Sequence, residues 1–532
     1  MNDLARVRRG RTRLLATVAL SVLVGGASAL APPAAGAQGP TLVEPKLSLR
    51  TAVDGLQLPT SIAFLGADDM LVLEKDTGRV KRVADGAATT VLDLAVNNFS
   101  ERGLLGIALH PNFPSNPGVY LYWTCRADNP PADPFFPDQR ACSDAKMFGA
   151  DTNDVLRVPL LANRVDRFVW DGAGLSFDRH LITFLAFQND GAPVPAGQGD
   201  SADGPHGAQP ARGNHDAGVI EFGPDGKLYV VVGDLGRRGQ LQNLPSGPTP
   251  TGLGPTVPDD QFGGPAPDDA HFAGTVLRLN EDGTTPSDNP FFVAGAGIGG
   301  EVGSNVQRVF SYGLRNSFGM DFDPRSGSLW VQENGEDAFD ELNLVTPGQN
   351  SGWIQTAGPL GRIAQFKQIE TTSLHHEDFA NLQQFRWGPE NIADTPAEAL
   401  SRLFVLPRSR YSDPEFSWTH VLAPAAIGFV EGNGLGREFS GDLFMGFSTL
   451  DTFGGPLFHF NLTGNRRQIA VDDPRLEDRV ADNLTFHDIT ESESLLIGKQ
   501  FGIVTDIETG PNGNLFVVSL SNGAIYEIGR RE

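Results

Sequence analysis

Two cysteines, five methionines and ten histidines are all the sulfur and imidazole that this 532-residue chain contains. Cys125 and Cys142 alone cannot build a thiolate zinc cage or a disulfide-dense scaffold. Basic residues are also scarce, with 41 Lys and Arg against 65 Asp and Glu and a net charge of −24. Such a surface repels phosphate backbones and anionic lipid, which argues against nucleic acid as a partner. Beyond the first thirty residues no apolar run is long enough to span a bilayer. Sustained helical periodicity is scarce, so a helical bundle is not expected. A Gly-rich phosphate loop, a G-x-S-x-G elbow and an H-E-x-x-H pair are all missing, which leaves ATP, nicotinamide and zincin chemistry without support.

What is present begins with a targeting segment. Arg6, Arg8, Arg9, Arg11 and Arg13 form a basic region, and an apolar run follows from Leu14 to about Leu30. Ala35-Gly36-Ala37 is an A-x-A cleavage site, so residues 1–37 read as a signal peptide and 38–532 as the mature chain. An uncleaved anchor is the alternative, disfavoured by a short run containing Gly25, Gly26 and Ser28. The Arg8-Arg9 pair lacks a full twin-arginine motif, so the export route stays open. The expected location is periplasmic or secreted, with no membrane span after cleavage. There, Cys125 and Cys142 would close a disulfide around a proline-rich loop, worth about 3 kcal/mol by loop-closure entropy. Two free thiols are the other possibility.

Across the mature chain one theme recurs: a turn of Gly, Asp, Asn or Pro, then a run of β-branched and aromatic residues. It reads "FLGADDMLVLEKDTGRVKRV" from Phe64, "HPNFPSNPGVYLYWT" from His110 and "FGPDGKLYVVVGD" from Phe222. It returns as "FDPRSGSLWVQENGED" from Phe322, "FSGDLFMGFSTL" from Phe439 and "GPNGNLFVVSLSNGAIYEI" from Gly510. The P-D-G, P-N-G and S-G steps favour tight turns, and the alternating runs fit half-buried strands. Radial repetition of small sheets explains this spread best, so the expected fold is an all-β, six-bladed β-propeller in one domain. Two β domains are the alternative. The last strand, "NGAIYEI", is expected to pair near Leu47 and close the ring. Asn189 to Arg212, Leu235 to Asp269 and Pro359 to Ser412 read as long structureless insertions gathered on one face around a central channel.

Several residues could carry chemistry. His215, in a glycine-rich loop ahead of a strand, could take a proton, with Asp234 at the far end of the same motif to orient it. Position alone better suits a loop histidine and a turn aspartate. Arg315 and Asn316, in "YGLRNSFGMDF", offer donors for carboxylates, or a tie between neighbouring sheets. "ENGEDAFDELNL" concentrates Glu333, Glu336, Asp337, Asp340 and Glu341, oxygen ligands suited to Ca²⁺ or simply a solvated acidic turn.

Five segments in order then carry a resemblance: "ERGLLGIALHPNF" from Glu101, "NHDAGVIEFGPDGKLYVVVGD", "YGLRNSFGMDF", "DELNL" and "NSGW". From about Leu47 to Ile528 the chain resembles the soluble glucose/sorbosone (aldose sugar) dehydrogenases that use pyrroloquinoline quinone, PQQ. The resemblance implies a six-bladed propeller that oxidises a sugar or alcohol and passes electrons to an external acceptor. It implies His215 as general base, Asp234 as its support, and Arg315, Asn316 and Glu101 beside the cofactor. Carbonyls of Gly335 and Glu336 would hold the Ca²⁺ that polarises the quinone, and Glu341 and Ser351 would hold a second, structural Ca²⁺.

The chain departs from the family where cations are expected. An R-x-R-D stretch is replaced by "GIVTD", with Ile503 and Thr505 at the arginine positions and only Asp506 kept. A lysine expected after Ala423-Pro424 is Glu431, and a glutamine before "G-L-L-G" is Glu101. Losing such charge-assisted contacts, each worth about 1.5–3 kcal/mol, weakens the hold on a tri-anion. Three readings follow: a PQQ-type sugar or alcohol dehydrogenase, a non-catalytic ligand-binding propeller that has lost its cofactor, and a Ca²⁺-dependent hydrolase on the same fold.

Overall fold

The computed structural model describes residues 39–98, 101–125, 162–186, 215–235, 243, 272–372 and 391–532. The signal segment 1–37, Cys142, the insertion Asn189 to Arg212 and most of Leu235 to Asp269 lie outside the described residues.

Strands dominate, and they form six sheets. The first runs outward through Pro59–Gly66, Asp69–Glu74, Arg79–Ala84 and Ala87–Asp93. The second runs through Leu104–Leu109, Gly118–Thr124, Ala162–Trp170 and Leu175–Leu185. The third begins Ile220–Phe222, Leu228–Val232, Thr275–Leu279, Val309–Tyr312, and the fourth Met320–Phe322, Leu329–Glu333, Ala338–Val345, Phe416–His420. The fifth holds Pro424–Phe429, Leu443–Phe447, Leu457–Leu462 and Leu496–Lys499. In the sixth, Val504–Thr509, Leu515–Ser519 and Ala524–Arg530 are completed by Leu47–Val53 from the other end of the chain. That last pairing is antiparallel, with Leu47 opposite Arg530 and Leu49 opposite Ile528. The innermost strands touch in cyclic order, first to sixth and back to first, which makes the fold an all-β propeller.

The innermost strands share a pattern: Ile62, Ile107, Ile220, Met320, Ile427 and Ile507 are all nearly fully buried between sheets. The residue after each is Ala63, Ala108, Glu221, Asp321, Gly428 and Glu508. Polar groups stitch neighbours together. Asp321 accepts from the Phe429 amide at 2.6 Å, and Asp506 accepts from the Ile62 amide at 2.8 Å and the Ser61 hydroxyl at 2.9 Å. Thr60 Oγ1 donates to the Leu104 carbonyl and Tyr122 to that of Asp216. Each buried backbone group so paired avoids a desolvation cost of about 1–3 kcal/mol.

The insertion Pro359 to Ser412 is not the structureless loop expected from its composition. It carries helices Ile363–Thr372 and Pro396–Arg402, the second capped by Thr395 accepting from the Glu398 amide. Phe366, Ile363 and Ala399 bury against Phe339, Trp353 and Ile354. Two further short helices, Phe292–Ile298 and Gly300–Arg308, cover the third sheet. Each is too short to show helical periodicity; packing, not propensity, holds them. Among the described residues no helix is long and apolar enough to cross a membrane.

Candidate active site

The third and fourth sheets meet where their loops leave the strands. His215 precedes the inner strand of the third sheet, and Asp234 follows its second strand. The β-turn and strand between them bring the two back together. His215 Nδ1 lies 2.6 Å from Asp234 Oδ1, and both residues are buried. No hydrogen-bond partner to His215 Nε2 is found among the described residues. His215 has φ +58° and Ala217 φ +52°, left-handed conformations that cost a non-glycine residue about 1–2 kcal/mol each. The loop is held in them by Tyr122 on the Asp216 carbonyl, at 2.9 Å, and Glu101 accepting from the Asp216 amide, at 3.3 Å.

Gly233 is what lets Asp234 approach. A Cβ there would sit 2.0 Å from the His215 carbonyl oxygen and 2.9 Å from Asn316 Oδ1. Gly233→Ala is therefore expected to displace the His215 loop and to cost about 1–3 kcal/mol by overpacking. Chemical denaturation measures the loss; an unchanged midpoint would show that the loop yields without strain.

Arg315 lies on the connection to the fourth sheet. Its carbonyl accepts from the Asp234 amide at 2.7 Å. Its guanidinium donates to the Asn334 carbonyl at 2.7 Å and to Glu336 at 2.6 Å, and sits 5.7 Å from the Trp353 ring centre. Asn316 donates to Glu101 at 3.2 Å. The expected site residues His215, Asp234, Arg315, Asn316, Glu101 and Glu336 therefore converge. Three buried polar atoms there lack any partner among the described residues: Arg315 Nε, Asn316 Oδ1 and Asp216 Oδ2. Burial lifts the Asp216 carboxyl to about 6, against the pull of the Arg102 cation. Orphaned polar groups in a native interior mark a place for a ligand or water.

Glu341 and Ser351 are buried as well. Glu341 accepts from Asn343 at 2.9 Å and from the Gly358 amide at 2.6 Å, and burial pushes its carboxyl to about 7. Glu333 stands opposite Glu341 in the strand register, and its carboxyl is raised by burial and then by Glu341. Ser351 accepts from Gln349 at 3.4 Å. Glu333 Oε2, Asn343 Oδ1 and Gln355 Oε1 are buried without partners among the described residues. Among the described residues no three His, Cys, Asp or Glu side chains converge as a metal set. A cation here would draw on amide, hydroxyl and carbonyl oxygens, as Ca²⁺ does. Gly335 is pinned by its amide on Asp340, at 2.8 Å.

Opposite, on the sixth sheet, Thr505 donates to the Pro59 carbonyl and the Ile503 amide donates to Ser521. None of the hydrogen bonds of Ile503, Thr505 or Asp506 reaches an Arg or Lys among the described residues.

Sequence reasoning missed Trp353, whose indole reaches Asp234, and the acid Asp216 as site members. The one signal for Trp353 was its place in "NSGW". Cys125 is buried, while its expected partner lies outside the described residues.

The sequence profile of the glucose/sorbosone dehydrogenase family matches residues 56–164 and 206–380, more than half of the chain. The chain belongs to this family. It is 25% identical over 491 residues to an uncharacterized Synechocystis protein, covering 90% of this chain and 85% of that one. It is 29% identical over 316 residues to quinoprotein glucose dehydrogenase B of Acinetobacter calcoaceticus, covering 58% of this chain and about half, 52%, of that relative. The PQQ-bound aldose sugar dehydrogenase of Streptomyces coelicolor superposes with a TM-score of 0.50 at 22% identity, covering 91% of this chain and 99% of the other. At that identity the superposition speaks for the fold alone.

Proposed function

We propose that this family member is an exported dehydrogenase that oxidises an aldose sugar or an alcohol with PQQ as hydride acceptor, His215 being the general base. One observation carries the reading: a buried imidazole anchored at Nδ1 whose Nε2, like polar atoms of the Arg-Asn pair beside it, has no partner among the described residues. The similarity to a quinoprotein glucose dehydrogenase supports it.

The residues present fit such a cofactor on the third and fourth sheets. Among the described residues Arg315 Nε is free to donate to a carboxylate, and Asn316 Oδ1 to accept from an N–H or O–H group. The carbonyls of Gly335 and Glu336 would face a Ca²⁺, and Glu341 with Ser351 a second one. PQQ, when bound, supplies a two-electron acceptor. His215 would take the hydroxyl proton of the substrate at Nε2 as hydride leaves the carbon that bears that hydroxyl, and Asp234 would stabilise the imidazolium that results. An external acceptor then removes the electrons.

To the same reading belong the six sheets as six blades of one domain from residue 38 to 532, supported by their cyclic contacts. So do removal of residues 1–37, a periplasmic or secreted location, and a Cys125–Cys142 disulfide.

The test is reconstitution of purified protein with PQQ and Ca²⁺. A quinone absorption band and dye reduction with at least one aldose are expected, both lost on chelation and restored by Ca²⁺. The absence of both band and turnover would rule the reading out. A second reading, a ligand-binding propeller without catalysis, is favoured by the uncharged sixth-sheet face at Ile503 and Thr505. Tight PQQ binding in calorimetry would end it.

A further inference from the structure

We propose that Trp353 is a positioning residue for His215, acting through Asp234; the inference rests on the reading of His215 as base. Each Asp234 oxygen has a partner of its own among the described residues. Oδ1 faces His215 Nδ1 at 2.6 Å, and Oδ2 accepts from Trp353 Nε1 at 2.8 Å. An indole is a donor only. It therefore holds Asp234 as an acceptor at that oxygen and fixes the plane of the carboxylate. An ionised carboxylate has no proton to give, so Nδ1 must carry the hydrogen, and the lone pair is left on Nε2. A tyrosine or serine at this place could reverse its bond; a tryptophan cannot.

Trp353 is itself fixed from three sides. Its amide donates to the Gly313 carbonyl at 3.0 Å, and its carbonyl accepts from Asn243 at 2.7 Å. The Arg315 guanidinium over its ring draws electron density from the indole and strengthens the N–H as a donor. Asn243 and Asn350 bond each other reciprocally at 3.0 and 2.9 Å, which locks the loop that carries Trp353. One side chain thus links the base pair to the arginine expected to meet the cofactor.

Trp353→Phe keeps a ring in the pocket and deletes the donor. In cofactor-free protein labelled with ¹⁵N-histidine, at a pH where imidazole is neutral, wild-type His215 is expected almost wholly in the Nδ1–H form. The variant is expected to show a mixture of the two tautomers. In PQQ-loaded protein kcat should fall about tenfold or more, the size of one lost charge-assisted hydrogen bond, with KM little changed. A variant whose tautomer signals superimpose on those of the wild type overturns the inference. If no turnover is found even in the wild type, the dehydrogenase reading fails, and the tautomer measurement still decides the role of Trp353. Should Trp353→Phe not fold, His215→Ala removes the far end of the relay. It is expected to move the Trp353 indole N–H resonance and leave the other tryptophans in place; an unmoved resonance overturns the inference.

Discussion

His215→Ala is expected to lower turnover of the PQQ- and Ca²⁺-loaded protein by about 10²- to 10⁴-fold, the usual contribution of a positioned base. Steady-state dye reduction checks it, and the loss should appear in kcat with KM little altered. The expectation rests on geometry. Asp234 occupies Nδ1, the left-handed backbone at His215 and Ala217 holds the loop, and Nε2 has no partner among the described residues. Small imidazoles added in solution should restore part of the lost rate, because the variant leaves a cavity beside Asp234. Asp234→Asn should lose much of the same activity, since an amide in that place can donate to Nδ1 and turn the tautomer over. If His215→Ala keeps full activity, the base lies elsewhere. Asp216 would then be the neighbour to replace, with its orphaned oxygen and a carboxyl near 6.

Stability is expected to fall as pH rises from about 5 to 8, by roughly 5 °C in melting temperature without divalent cations. The cause is a set of carboxylates on the inner strands. Burial pushes Asp321 up to about 7 and Asp506 up to about 6. Burial, and then the charges around them, raise Glu221 and Glu508 as well. Glu508 is exposed to solvent, so its own share is small. The sign follows from linkage. In the unfolded chain these acids titrate near 4, and in the folded chain higher, so folding favours their neutral forms. Their stabilising contribution is complete below about pH 4 and is lost as pH rises through about 6 to 7. Glu221→Gln should therefore flatten the profile and melt about 2 °C higher than the wild type at pH 8. Calorimetric scans across the range check both. A melting temperature that is level or rising between pH 5 and 8 would show that these acids are charged at no cost.

Their positions explain why this was not foreseen from the sequence. Glu221, Asp321 and Glu508 are about a hundred or more residues apart, each in an ordinary strand motif, "VIEF", "GMDF" and "DIET". Each alone reads as a solvated strand acid. Only the ring of sheets gives them the same register around one axis, where burial and mutual repulsion act together. The insertion after Pro359 failed differently. Gly and polar residues between short apolar steps suggested a loop, whereas Phe366 and Ile363 fold it against Phe339 and Trp353.

The chain's local instructions are complete in its own letters. Turn residues before β-branched runs determine where strands begin, the alternation of apolar positions determines which face is buried, and the ordered motifs determine the family. These rest on interactions between neighbours a few residues apart. The meeting of His215 with Asp234 was also within reach, because one hairpin's length separates them. Tertiary structure alone decided that Trp353 bonds Asp234 across 119 residues, that Glu336 neutralises Arg315, and that Glu333 faces Glu341. Those contacts depend on how neighbouring sheets and their connecting loops pack around the axis, and no periodicity within a single strand encodes that.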